Sequence, residues 1–193
     1  MTSTAVARPE VPSPGAWKID PAHHHVGFVA RHLMVTKVRG RFADVDGVVR
    51  IAERPEDSSV EVRIGSASLD TGNPDRDAHL RSPDFLEVER YPELRFTSTK
   101  VEVTGPTSLK LHGDLTVRDV TRPVVLDVEY EGLSRGPRGD ARVGFSATTR
   151  IDREDWGLTW NVTLETGGWL VSKDVDLEID VELKQDQPIE QVA

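Results

Sequence analysis

The sequence predicts an all-β fold, an eight-stranded antiparallel barrel with one or two short helices. Apolar residues recur with a period of two, most clearly near the C-terminus, where Val175, Leu177 and Ile179 alternate with Asp176 and Glu178. This alternation is typical of strands that have one dry face and one wet face. Turn residues separate several of the runs, and helical patterns between them are few. Such strands in sequence favour an antiparallel sheet that closes on itself.

Eight runs carry this alternation, in chain order residues 24–32, 38–51, 60–64, 94–103, 109–117, 124–130, 143–151 and 175–183. The run 38–51 is long compared with the usual strand of about 5–6 residues, so we expect either a tall barrel or a strand that bends at Gly40 and Gly47. The proline-rich residues 1–16 are predicted to be a disordered tail, and residues 186–193 a C-terminal tail. A single domain over residues 17–185 remains.

The stretch after Gly72 breaks the period of two. Asn73-Pro74 and Ser82-Pro83 each place a capping residue before a proline, an arrangement that begins helices. One or two short helices are predicted here, forming a lid over the barrel.

Composition excludes several classes of function. The 193 residues contain no cysteine, which rules out disulfides, thiolate metal sites and cysteine nucleophiles. Thirty-three acidic and 24 basic residues give a net charge of −9, which argues against nucleic acid as a partner. The chain has no apolar run long enough for stable membrane insertion and no secretory signal pattern. We therefore expect a cytoplasmic protein.

The apolar alternation also predicts what faces the barrel interior. Small residues at Ala30, Gly40, Gly113 and Ala147 interrupt the larger inward ones and leave room for a lumen. An eight-stranded barrel is either filled by its side chains or just wide enough for one small ligand. A lumen would suit an elongated apolar ligand. The larger inward candidates for contacting it are Phe28, Phe42, Phe96, Leu115 and Phe145.

Several motifs in fixed order resemble the YceI-like family of polyisoprenoid-binding, lipocalin-like barrels. The resemblance covers nearly the whole body of the chain. Its motifs are WKIDP at 17–21, GRF at 40–42, RDAHLRS at 76–82, DF at 84–85, YP at 91–92, FTS at 96–98, GDLTV at 113–117, IDR at 151–153 and WG at 156–157.

The resemblance implies a barrel that encloses a polyisoprenoid, such as a prenyl pyrophosphate, a quinone tail or another long-chain amphiphilic lipid, and often a homodimer. On this basis we expect a non-catalytic binding or carrier protein that needs no cofactor and no metal. The sequence departs from the family in two places. His25 stands where serine is common, and the proline-rich tail replaces the secretory signal that many members carry.

Polar candidates for an anionic head group lie near the predicted barrel mouth. Residues 21–43 contain four basic residues and no acid, but Lys37, Arg39 and Arg41 fall on the solvated side of their strand. Arginine suits bidentate contacts to phosphate, and histidine can donate to oxygen. The remaining candidates, including apolar and aromatic neighbours in the lid and in the glycine-containing region before the last strand, are Arg31, His32, His79, Leu80, Arg81, Phe85, Trp156 and Trp160.

Two alternatives compete with lipid binding. The first is a structural barrel with a filled core, in which Phe28, Phe96 and Phe145 interdigitate. The second is a metal-dependent enzyme, because His23 and His25 share a face, although zinc needs at least one further ligand. Familiar catalytic motifs such as G-x-S-x-G, the P-loop and H-E-x-x-H are absent, which argues against an enzyme.

Overall fold

The computed structural model describes residues 11–165 and 167–185 and contains ten strands and one α-helix. The predicted tail residues 1–10 and 186–193 lie outside the described residues. The elements are β1 (Gly15–His32), β2 (Thr36–Phe42), β3 (Val45–Ile51), β4 (Ser59–Gly65), β5 (Leu69–Asp70), α1 (Pro74–Arg81), β6 (Glu93–Val103), β7 (Ser108–Val117), β8 (Val120–Arg135), β9 (Ala141–Asp152) and β10 (Asp174–Gln185).

Eight of these strands close an antiparallel barrel. Neighbours follow the order β1, β3, β4, β6, β7, β8, β9 and β10, and β10 pairs again with β1. The predicted fold class is therefore confirmed. The two remaining strands, β2 and β5, extend the sheet beside the second half of β1. No helix in the described part of the chain is long and apolar enough to cross a membrane.

The predicted single strand 38–51 is divided in the structure. It breaks at Ala43 and Asp44, so that β3 pairs with the start of β1 and β2 with its end. The interruption lies between the two glycines, Gly40 and Gly47. At the break, the Ala43 N–H donates to the Ser68 carbonyl, and the Asp44 carbonyl accepts from the N–H of Gly65. These hydrogen bonds to a later segment take the place of the sheet ladder.

The two glycines instead permit close packing. A Cβ atom at Gly40 would lie 2.2 Å from Cζ of Phe28, and one at Gly47 would lie 2.8 Å from Cδ1 of Ile19. Larger residues at either position would push these inward side chains aside.

The first strand begins earlier and runs further than predicted. Gly15 and Ala16, assigned to the tail from sequence, pair with Ile51 and Arg50 of β3. Between Ile19 and His24 the pairing with β10 shifts register, and Asp20 lies in this bulge.

Only the first of the two proline caps begins an α-helix among the described residues. The Asn73 side chain accepts from the N–H of Arg76 at 3.0 Å and caps α1. Ser82 instead ends α1, because its hydroxyl donates back to the His79 carbonyl at 2.7 Å. The chain then returns on itself, since Leu86 N–H donates to the Leu80 carbonyl. The prediction of one or two short helices is therefore met by α1, and the Ser82-Pro83 pair does not begin another α-helix.

The two ends of the barrel differ. One end, which we call the lid end, is marked by the strand termini Gly65 and Glu93, which pair with each other, and by Asp152 and Asp174, which also pair. The chain between the first two contains α1, and the chain between the second two is the segment 153–173, so both segments lie at this end. Toward the other end, the closed end, Trp17, Val143 and Leu183 are each 0% exposed. Large side chains are thus fully buried at the closed end.

Candidate ligand-binding site

One wall of the barrel interior is only half-buried. On β1, β2, β9 and β10, side chains that point inward keep part of their surface accessible, although outward neighbours such as Glu178 and Asp180 lie on the opposite face. Exposure of inward side chains requires open space beside them. This inner wall comprises Val26, Phe28, Ala30, Phe42, Phe145, Thr149, Leu177 and Ile179.

The opposite side of the interior is tightly packed. Phe96 on β6 is 7% exposed and Leu115 on β7 is 8% exposed. The Phe96 ring lies over Gly113, where an added Cβ atom would come within 2.4 Å of its Cζ. On the inner wall, the Phe28 ring lies over Gly40 in the same way. Each ring therefore packs against the backbone of the neighbouring strand at a glycine.

The ring contacts disagree with the filled-core alternative. Phe28 packs on Phe42 with ring centroids 5.8 Å apart, and Phe145 packs on Tyr130 at 5.5 Å. Among the ring contacts of the described residues, none joins Phe28, Phe96 and Phe145 to one another. The interdigitation that a filled core predicts is therefore not observed.

An aromatic cluster joins the two segments at the lid end. The His79 ring of α1 meets Trp160 edge-on at 4.4 Å and Phe85 at 5.1 Å, while Phe85 and Trp160 are 5.4 Å apart. His79 is held in place by a 2.8 Å contact between its Nε2 and Oδ2 of Asp84. The structure thus brings together three of the predicted ligand-binding residues, two from the region of α1 and one from the glycine-containing region before the last strand.

Other predicted lid residues have structural partners. The Arg81 guanidinium donates to the carbonyls of Ala67 and Leu69 and ties α1 to β5. The Trp156 indole is buried, and its N–H donates to the Leu115 carbonyl at 3.0 Å. Their polar groups are occupied by backbone carbonyls. Leu80 is half-buried and packs against the core, where its side chain can contribute apolar contacts.

The basic residues of the β1–β2 hairpin face solvent. Arg31 and His32 are exposed at the end of β1, and Arg31 pairs with Lys37 across the hairpin. Arg39 and Arg41 are exposed as well. These residues lie beside the lid end but are not part of the aromatic cluster.

Arg153, which was not among the site residues singled out from the sequence, is a buried charge just after β9. It continues the every-second-residue series of inward side chains Phe145, Thr149 and Ile151. It is 4% exposed. Its Nε donates to the Ser172 carbonyl at 3.0 Å and its Nη1 to the Leu158 carbonyl. The signal in the sequence was a charged residue that continues an apolar inward series.

On the outside of the barrel, His23, Asp20 and Glu182 form a group whose ligand atoms lie within 4.8 Å of one another. It borders a groove of about 290 Å³. His25 is not a member of this group, so the pairing of His23 with His25 in a metal site is wrong. Two cations already balance the group, because Arg142 bonds Asp20 at 2.7 Å and Glu182 at 2.6 Å, and Lys184 bonds Asp20 at 2.7 Å. The geometry fits an ion-pair cluster better than a metal site.

Asp20 is the centre of this cluster and is 1% exposed. Burial by itself would raise the pKa of the Asp20 carboxyl. Hydrogen bonds from Lys184, His23, the Ala22 N–H and Arg142 outweigh burial and hold the pKa well below its ordinary value. The cluster therefore joins β1, β9 and β10 through a carboxylate that is charged at neutral pH.

Comparison with known proteins places this chain in a family. The model of the YceI-like domain matches residues 17–183. A UPF0312 protein of Photorhabdus laumondii is 40% identical over 169 residues, which cover 86% of this chain and 84% of the relative. A UPF0312 protein of Pseudomonas savastanoi is 37% identical over 161 residues, with coverage of 83% and 80%.

Solved structures agree. The Campylobacter jejuni YceI protein superimposes with a TM-score of 0.70 at 32% identity, covering 81% of this chain and 90% of that one. A polyisoprenoid-binding domain from Saccharophagus degradans gives a TM-score of 0.68 at 15% identity, with coverage of 88% and 98%, and shares the fold. With a family match across nearly the whole barrel and relatives of this similarity, the chain belongs to the YceI-like family.

Proposed function

We propose that the protein binds and carries a polyisoprenoid, or a similar long-chain amphiphile, in the barrel lumen without transforming it. The observation that carries this proposal is the half-buried inner wall, whose side chains are apolar except for Thr149. Apolar space that opens toward one end suits a chain with a polar terminus. The named activity of the Saccharophagus degradans domain supports the same ligand class.

The dimensions of the inner wall fit an extended hydrocarbon chain. Four residue steps from Val26 to Ala30 along β1, or from Phe145 to Thr149 along β9, span about 13 Å at about 3.3 Å per residue. Burial of each methylene contributes about 0.8 kcal/mol, so one five-carbon prenyl unit contributes up to about 4 kcal/mol before losses. A few units would give tight binding without any charge contact.

The chemistry of the interior favours holding a ligand over catalysis. Carboxylates on β10, such as Glu178 and Asp180, lie on the outer face, and the Asp20 carboxylate is neutralised by Arg142 and Lys184. General acid–base catalysis needs such groups next to the bound substrate.

Native mass spectrometry of protein purified without detergent, followed by organic extraction, tests the proposal. We expect a bound lipid, or uptake of added geranyl, farnesyl and geranylgeranyl alcohols with affinity that rises with each five-carbon unit. Absence of both lipid and uptake would contradict it.

Homodimer formation, which the family resemblance implies, is a second part of the proposal. Sedimentation equilibrium over a range of concentrations tests it. A dimer mass is expected, and a monomer mass at every concentration would remove this part while leaving lipid binding in place.

A further inference from the structure

Arg153 carries a buried positive charge that is only partly satisfied. Its Nε and Nη1 are held by the carbonyls of Ser172 and Leu158, but its buried Nη2 has no hydrogen-bond partner among residues 11–165 and 167–185. Two anchored nitrogens fix the plane of the guanidinium. The third nitrogen is thereby oriented in advance and available to an acceptor.

No carboxylate of the described residues forms an ion pair with this guanidinium. The two acids nearest in sequence are engaged elsewhere, since Asp152 accepts the Glu154 N–H at 2.9 Å and Glu154 bonds Lys173 at 2.6 Å. Burial lowers the pKa of Arg153, and the more distant charges of Glu154 and Asp152 oppose this only in part. A buried charge without a partner is costly, and a bound anion would remove that cost.

The position of Arg153 is at the lid end of the interior. Its Cζ lies 5.9 Å from the centre of the Phe85 ring, which belongs to the cluster with His79 and Trp160. A chain lying along the inner wall from the closed end would place its terminal group near this cluster.

We propose that Arg153 is the head-group site of the lumen and binds an anionic oxygen, phosphate or carboxylate, at the end of the lipid. This inference rests on the proposed function. It differs from the sequence expectation, in which Arg31, His32, His79 and Arg81 were the polar head-group candidates; His79 lies in the same cluster, but its Nε2 contacts Asp84. Arg31 and His32 face solvent, and the bonded nitrogens of Arg81 hold backbone carbonyls.

The test compares ligands that share one chain and differ in the head group: geranylgeranyl diphosphate, geranylgeranoic acid and geranylgeraniol. Wild-type protein should bind at least one of the two anions about ten-fold or more tightly than the alcohol. The two anions distinguish phosphate from carboxylate. Arg153→Gln should lose this preference while its affinity for geranylgeraniol stays within about two-fold of wild type.

Two control variants distinguish binding of the anionic head group by Arg153 from a structural role of its hydrogen bonds to the Ser172 and Leu158 carbonyls. Arg150→Gln removes an exposed arginine of β9, paired with Asp176, and should keep the preference. Arg153→Lys keeps the charge and should retain part of it. A loss of affinity in Arg153→Gln that is equal for all three ligands would show a purely structural role and overturn the inference.

The comparison of the three ligands on the wild-type protein tests the inference even if Arg153→Gln does not fold. If geranylgeraniol binds and neither anion is preferred, the lumen is retained as a lipid site and the head-group inference is wrong. If none of the three ligands binds, the proposed function itself fails.

Discussion

Thr149→Phe is expected to weaken the binding of geranylgeraniol about ten-fold or more. Thr149 is half-buried on β9, opposite Leu177 of β10, and its side chain faces the lumen. A phenylalanine ring there would occupy space that the ligand chain needs, and the loss of contact with one prenyl unit is worth up to about 4 kcal/mol. Isothermal titration of both proteins measures the change.

The neighbouring residue provides a matched control. Thr148 is exposed, and its strand partners are Glu178 and Asp127 on the outer face. Thr148→Phe makes the same chemical change outside the barrel and should leave the affinity within about two-fold. Equal affinities for wild type, Thr148→Phe and Thr149→Phe would mean that the chain does not bind beside Thr149.

Asp20→Asn is expected to destabilise the fold by about 3 kcal/mol, because it removes the buried carboxylate at the centre of the ion-pair cluster, while Arg142 keeps its ion pairs with Glu182 and Asp140. The substitution leaves Arg142 and Lys184 without the carboxylate that each contacts at 2.7 Å. Urea unfolding followed by tryptophan fluorescence measures the loss. Asp46→Asn, at an exposed position on β3, is the control and should change stability by less than about 0.5 kcal/mol. A similar small change for Asp20→Asn would show that the cluster contributes little.

The same carboxylate predicts how stability depends on pH. The pKa of Asp20 in the folded protein lies below its ordinary value of 3.8, so the unfolded chain takes up a proton first as pH falls. The contribution of Asp20 is thus complete above about pH 5 and is lost as pH decreases through the unfolded and then the folded pKa. Asp20→Asn should show a weaker decrease in stability over this acidic range than wild type.

The fold could be predicted from sequence because alternation is a local property. In β10, Val175, Leu177 and Ile179 take the inward face that their pattern indicates. The break at Ala43 and Asp44 could not be predicted from the sequence. It depends on hydrogen bonds to Ser68 and Gly65, which come more than twenty residues later in the chain.

The site was predictable where it depends only on which face of a strand a residue occupies, because alternate residues face the same side of the sheet. This alternation placed Phe28 and Phe145 on the inner side, but it did not show that the Trp156 N–H would be taken by the Leu115 carbonyl. Arg153 was missed because the sequence pattern ended the strand at Ile151, whereas the inward series extends to the arginine. Such contacts between distant segments decide which polar groups remain free.

A crystal structure of the protein with bound geranylgeraniol tests the central claim most directly. We predict continuous ligand density inside the barrel along the inner wall, in contact with Phe28, Thr149 and Leu177. Ligand found only on the outer surface, with the space beside these side chains closed, would contradict the account.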